Sequence, residues 1–418
     1  MERKLLSAQD SILLKTGPAF LGTGVNGFVD KSSIIIKGGK FEQIHPGQIP
    51  LGTNSDIREE IDLENYYVMP GLIDLHVHLC MSGEADFTRK ILESPNYETM
   101  KAYANAKRSL DAGFTTLRDA GSSGYQTVAL RDSINNGLVE GPRIFAAGKI
   151  LTETGGHADT PFLRGRICDG ADEVRKAVRE QVKNGVDFIK MTCSGGGMSP
   201  QDSPKHSQFS LEEISTAVIE AHSKERKVAA HAQSNTGIKN SVISGIDTIE
   251  HALYLDREAC GLIIERGCTI VPTMISPVMT AKNGRGNGVP DWAIEKTEIA
   301  IDAHMSSVNL AHDLGVKIGF GTDAGTPFNY HGSNANEFEM LVDSGGLTPS
   351  EALYSATGIA SEALGKKNIL GTITKGAFAD LIVVKGDPLS DIRCLKTPEN
   401  IKFVIKGGKI VKNELWLQ

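Results

Sequence analysis

Val68-Met69-Pro70-Gly71-Leu72-Ile73-Asp74-Leu75-His76-Val77-His78-Leu79-Cys80 is the stretch from which the fold is read. Pro70 and Gly71 punctuate the chain, and Leu72, Ile73 and Leu75 form a short apolar run broken by Asp74. A run this short between turn residues predicts a buried strand rather than a helix. His76 and His78 stand at its end, and side chains at i and i+2 of a strand share a face. Two imidazoles able to reach one point begin a metal site. Taken alone, the pair reads equally well as two half-exposed histidines.

Downstream of this strand, strand-like runs alternate with helix-like stretches, the pattern of βα units around a parallel sheet. Strands are expected at 114–119, 143–147, 186–192, 228–231, 248–251, 269–272 and 316–323. Helices are expected at 97–111, 126–135, 171–184 and 211–224. Val174, Val178 and Val182 recur at four-residue spacing in the third of these, and Ser210 with Glu213 forms a capping box at the start of the fourth. Eight such repeats predict an α/β (β/α)8 TIM barrel over residues 69–374, with its active site at the C-terminal ends of the strands.

Both ends of the chain read differently. Ile36-Lys37-Gly38-Gly39-Lys40 recurs as Ile405-Lys406-Gly407-Gly408-Lys409, each between β-rich runs. Residues 1–68 and 375–418 are therefore expected to combine into one small β-sandwich domain.

The length of 418 residues suits a barrel of roughly 250–300 residues plus such an appendage. A formal charge of −7 without a dense basic run argues against nucleic acid as a partner. No apolar stretch approaches the ~20 residues of a membrane span. Residues 1–17 lack an apolar core with a small-residue cleavage site, so a cytoplasmic location is expected. The six cysteines (80, 168, 193, 260, 268 and 394) include no C-x-x-C pair and read as free thiols.

Polar residues fall where the barrel rule puts chemistry. Lys190 lies near the end of the fourth strand, His231 ends the fifth, His251 the sixth and Asp323 the eighth. With His76 and His78 they make six candidate ligands from five strand ends, a donor set suited to Zn²⁺. An ammonium repels cations, so Lys190 joins the set only if CO2 carboxylates its amine, making an anion that bridges two metals. Singly, each residue has a plainer role: a satisfied core histidine, a snorkelling lysine or a turn aspartate. Together at the strand ends they point to a metal site.

HVH after a PGLID strand, the fourth-strand lysine, the two following histidines and the terminal Gly-Thr-Asp resemble the amidohydrolase superfamily across nearly the whole chain. Gly371-Thr372-Ile373 and Gly376 to Val384 resemble its flanking β domain. The lysine places the resemblance with the binuclear members. Thr154-Gly155-Gly156-His157-Ala158-Asp159 and Lys190 to Pro200 resemble the branch of Xaa-Pro dipeptidase-like and N-acyl-amino-acid-cleaving enzymes, which includes ochratoxin-hydrolysing members. Dipeptidases of that branch often carry tyrosine where this chain has Gln233.

The resemblance implies one divalent metal on His76, His78, carboxylated Lys190 and Asp323, and a second on Lys190, His231 and His251. It implies amide hydrolysis of dipeptides or N-acyl amino acids by a metal-bridged hydroxide, with Asp323 moving the proton. His157 is the candidate catalytic and substrate-binding group, and Gln233 and Arg285 are further candidates for holding a small-molecule substrate with a free carboxylate. A homo-oligomer is also implied. Hydrolysis of cyclic amides or lactones, or deamination or dehalogenation of a heterocycle, is the alternative. Asp119 is expected to be structural, pairing with Arg118 or capping the next helix. Residues 276–291 are expected to form a mobile Gly/Asn-rich wall; Met191, Met198 and Met274 are candidates for lining a substrate pocket, with core packing the better reading of any single one.

Overall fold

In the computed structural model, which describes residues 11–49, 57–200 and 202–415, the opening stretch is strand β1 (Leu72–Val77), buried at all six positions. β2 (Phe114–Asp119) and β3 (Arg143–Ala146) join it in one sheet of order β3-β2-β1. β4 (Phe188–Thr192), β5 (Lys227–Ala232), β6 (Thr248–His251), β7 (Thr269–Val271) and β8 (Lys317–Ile318) follow one another in a second, parallel sheet. Near-continuous burial of these strands is the mark of a parallel sheet covered on both faces. Backbone hydrogen bonds link the two sheets at two places. Asp187 N donates to Ala146 O over 2.9 Å, and Leu75 N to Phe320 O over 2.9 Å.

Helices alternate with the strands where the sequence pattern places them, including Pro95–Asp111, Gln126–Asn135, Ala171–Lys183 and Leu211–His222. In the last, Ser210 Oγ accepts from Glu213 N and the Glu213 carboxylate accepts from Ser210 N, closing the capping box. Three features depart from expectation. The regular part of the eighth strand is confined to Lys317–Ile318, because Gly319 and Gly321 beyond it serve close approach. A Cβ on Gly321 would meet Val271 Cγ1 at 2.3 Å and His76 Cβ at 3.0 Å. Two-residue strands at Leu151–Thr152 and Arg166–Ile167, too short to leave a pattern, extend the second sheet. The segment expected to be a mobile loop begins as a helix, Ile275–Gly284.

The chain divides into two compact units: one of Asp74–Arg108 and Thr116–Leu347, the other of the chain up to Ile73, Ser109–Thr115 and the chain from Thr348. In the second of these units, strands Ser11–Thr16, Ser32–Lys37, Lys40–Pro46 and Ile57–Leu63 form one sheet. A second sheet pairs Leu381–Val384 antiparallel with Tyr67–Pro70 and continues into Ile401–Lys406 and Lys409–Asn413. N- and C-terminal segments thus share a sheet. Leu14, Phe41 and Leu63 from one sheet and Leu381, Phe403 and Ile405 from the other are buried in a single apolar cluster. The expectation for the first ten residues lies outside the described residues.

Candidate metal centre

β1 ends with His76 and His78 on one side of the strand, both under 10% exposed. Asp323, reached after β8, brings its Oδ1 to 3.3 Å from His78 Nε2 and 3.6 Å from His76 Nε2. Ligand atoms of these three residues all lie within 4.8 Å of one another. His251 from the end of β6 packs against His76 with ring centroids 5.0 Å apart, and His231 from β5 against His251 at 4.5 Å. Lys190 of β4 is buried beside them, and its Nζ has no hydrogen-bond partner among the described residues. The structure therefore brings all six sequence-predicted ligands to one pocket.

Two of the six occupy strained backbone. His251 and Asp323 have φ of 71° and 57°, the left-handed region that costs a non-glycine residue about 1–3 kcal/mol unless its surroundings enforce it. Asp323 is enforced by its N–H donating to His76 O at 2.7 Å and by Ser276 Oγ donating to its Oδ2 at 3.0 Å.

The histidines are oriented from behind. His76 Nδ1 donates to Glu250 Oε2 at 2.7 Å, and the other Glu250 oxygen accepts from Arg118 Nη2 at 2.7 Å. His78 Nδ1 donates to Gly121 O at 2.9 Å, and its Nε2 lies 3.3 Å from Asp323 Oδ1. His251 Nδ1 meets Thr273 Oγ1 at 2.8 Å. Fixing one ring nitrogen sets the tautomer and frees the other for a metal. His231 differs, since its Nε2 lies 3.1 Å from Gly195 O.

Burial lowers His76 to about 4 and depresses His231 and His251 well below the usual imidazole range, so these rings are neutral at pH 7. For His78, burial pulls the same way, but its contact with Asp323 outweighs it and the net shift is upward. Burial pushes Asp323 up, yet the His78 bond and the neighbouring imidazoles leave it below the usual carboxylate range. Lys190 is lowered to about 8, first by burial and further by Arg118, against the opposing pull of Glu250.

His157 lines the same pocket, stacked on His231 with centroids 4.2 Å apart and its Nδ1 3.2 Å from Ser199 Oγ. Burial lowers it to about 4. Gln233 also lines the pocket, and Phe162, Leu163, Met198 and Leu253 supply apolar wall. Met198 is thus a pocket residue rather than core. Ser276, Pro277 and Thr280 give the wall expected of segment 276–291, but from a helix. Arg285 is elsewhere. Its half-exposed guanidinium pairs with Glu298 at 3.2 Å and Asp291 at 3.7 Å, and it does not line the pocket.

Asp119 is structural: it accepts from Leu79 N and from Thr127 Oγ1 in the next helix, while Arg118 turns to Glu250 instead. Sequence reading missed Glu250, Asp74 and Lys296. Asp74 carried a signal, since a carboxylate inside an apolar strand needs partners. It finds them in Thr322 Oγ1 at 2.6 Å and Asn334 Nδ2 at 2.7 Å, tying β1 to the segment that carries Asp323.

The sequence pattern of the amidohydrolase family matches residues 67–411. Ochratoxinase of Aspergillus niger is 33% identical over 371 residues, covering 82% of this chain and 75% of that protein. A Xaa-Pro dipeptidase crystallised with methionine in its active site superposes with a TM-score of 0.90 at 35% identity, over 97% of this chain and all of that one. The crystal structure of A. niger ochratoxinase gives a TM-score of 0.86 at 29% identity, over 97% of this chain and 96% of that one. These likenesses make the parallel α/β arrangement a TIM-barrel-type fold. The chain belongs to the amidohydrolase family and is a hydrolase acting on carbon–nitrogen bonds.

Proposed function

We propose that the protein hydrolyses the amide bond of dipeptides or N-acyl amino acids that carry a free carboxylate, using two divalent cations, with Zn²⁺ the expected metal. One observation carries the reading: a buried lysine amine without a hydrogen-bond partner among the described residues lies among four strand-end histidines and an aspartate. A buried amine held near a pKa of about 8 has a neutral fraction at pH 7. That neutral amine can add CO2, losing a proton and becoming an anionic carbamate. The donor set then fits the cations: His76, His78, Asp323 and carboxylated Lys190 for one, and His231, His251 and Lys190 for the other. Bound there, divalent cations supply Lewis acidity toward water and a scissile carbonyl.

The chain's own groups do the rest. Asp323, with Oδ2 held by Ser276 and Oδ1 facing the histidines, accepts a proton from the attacking water and returns it to the leaving nitrogen. His157, neutral and stacked on His231, offers a hydrogen bond to the substrate's carbonyl or carboxylate oxygen. Gln233 lines the same pocket and is a further candidate for contacting the substrate. The dipeptidase and ochratoxinase among the similar proteins support this substrate class. With the reading go a closed (β/α)8 barrel over residues 69–374, a β-sandwich of residues 1–68 and 375–418, and a homo-oligomer.

Elemental analysis tests the centre. With bicarbonate supplied during expression, about two metals per chain are expected in the wild type. Lys190→Ala is expected to fall well below that, whereas one metal in both proteins removes Lys190 from the site. A substrate panel tests the chemistry: turnover confined to cyclic imides, with dipeptides and N-acyl amino acids inert, sinks the reading.

A further inference from the structure

Among the described residues, three charged side chains other than histidine line the pocket: Lys190, Asp323 and Lys296. The first two belong to the proposed metal centre. Lys296, on helix Asp291–Asp313, has no part in it. Its ammonium donates to Ser199 O at 3.0 Å and to Asp202 O at 2.5 Å, and lies 5.1 Å from the centroid of the Trp292 ring. Among the described residues no carboxylate is in ion-pair contact with it. Two backbone carbonyls fix the ammonium's position and use two of its three N–H groups, while the Asp202 carboxylate, not in ion-pair contact, still feels its charge. The same Ser199 that accepts from Lys296 through its carbonyl meets His157 Nδ1 through its hydroxyl. One buried serine therefore links the cation to the histidine stacked on His231.

We propose that Lys296 is the residue that recognises the free carboxylate of the substrate, so that the leaving amino acid is bound at the Ser199–Asp202 side of the pocket. The assignment rests on the amide-hydrolase reading above and deepens it. A half-buried ammonium beside apolar walls attracts an anion more strongly than an exposed one would. Arg285, the arginine that the sequence offered for this task, is committed to surface carboxylates outside the pocket. Lys296 also holds Ser199 and Asp202, so a test has to separate recognition from latching.

The test uses the metal-loaded enzyme with N-benzoyl-L-amino acids and their C-terminal amides. Turnover of the free acids by the wild type is required by the functional reading, and its failure removes that reading together with the inference. Given turnover, Lys296→Met is expected to raise KM for the free acids about 10- to 100-fold with kcat little changed, and to leave the amides unaffected. Lys296→Arg, which keeps the charge, is expected to restore KM for the acids to within about fivefold of the wild type. Equal loss on acids and amides would assign Lys296 to latching Ser199 and Asp202, and unchanged KM for the acids in Lys296→Met would remove it from recognition. Either result overturns the inference while leaving the functional reading intact.

Discussion

Glu250 sits fully buried between a guanidinium and an imidazole, 2.7 Å from each. Arg118, His76 and Lys190 hold it ionised against the pull of burial. Removing it strands the Arg118 charge in the interior. Glu250→Ala is therefore expected to lower stability by about 3–5 kcal/mol, read as a drop in the urea midpoint. Glu250→Gln keeps the shape and is expected to cost less stability, but to weaken metal retention roughly 10-fold or more, because His76 loses the carboxylate that orients it. Dialysis against a chelator, followed by elemental analysis, checks this. The candidate ligands were legible in the sequence because each stands at or near the end of a strand-like run, and strand ends are where this architecture presents side chains. Glu250 and Lys296 were not. A glutamate one residue before a histidine reveals nothing until the register of β6 against its neighbours is known, and a lysine on an amphipathic helix reads as solvated surface.

The recurring Gly-Gly turns show the same division between local and long-range information. Gly38 and Gly39 have φ of 59° and 76°, and Gly407 and Gly408 of 55° and 76°, the signature of two-residue hairpin turns whose twist matches the flanking strands. That much follows from the repeated phrase. What does not follow is that the turns abut: a Cβ on Gly408 would lie 2.7 Å from Gly39 Cα, whereas one on Gly407 would meet nothing within 4 Å. Gly407→Ala is expected to cost about 1–2 kcal/mol from the left-handed backbone alone. Gly408→Ala carries the same backbone cost and a collision with main chain, so its loss in a thermal melt should be clearly larger. Equal losses would mean that the contact between the turns relaxes freely. The long helices were readable from their apolar spacing, but Ile275–Gly284 was hidden by its glycine and asparagine content, its helicity coming from packing along the pocket rather than from propensity.

Across the whole molecule, titration works in two opposed directions. Burial holds His304 and His331 near 4, so the folded chain resists protonating them. Their contribution to stability is complete above the ordinary imidazole pKa of 6.5 and is lost as pH falls toward 4. Asp74 and Asp119, raised to about 6 by burial, contribute the other way, with stability lost as pH rises through 6. The net curve is flattened, and a single substitution separates its parts. His304 bonds His251 O at 2.8 Å, and His304→Gln keeps a donor there without the titration. Relative to that variant, the wild type is expected to gain up to about 3 kcal/mol between pH 4 and pH 6.5 in parallel denaturant titrations. A constant difference would show that His304 is not held neutral.

Asp74 and Thr322, which bond side chain to side chain, are separated by 248 positions, and Tyr67–Pro70 pairs with Leu381–Val384 from near the other end of the chain. During synthesis from the N-terminus, the strand bearing His76 and His78 waits for most of the polypeptide to emerge before these partners exist. Until then, an apolar strand with an uncompensated aspartate is left without its native neighbours, a condition that favours non-native association. Order of emergence from the ribosome thus places the first-made part of the candidate metal centre among the last to be secured.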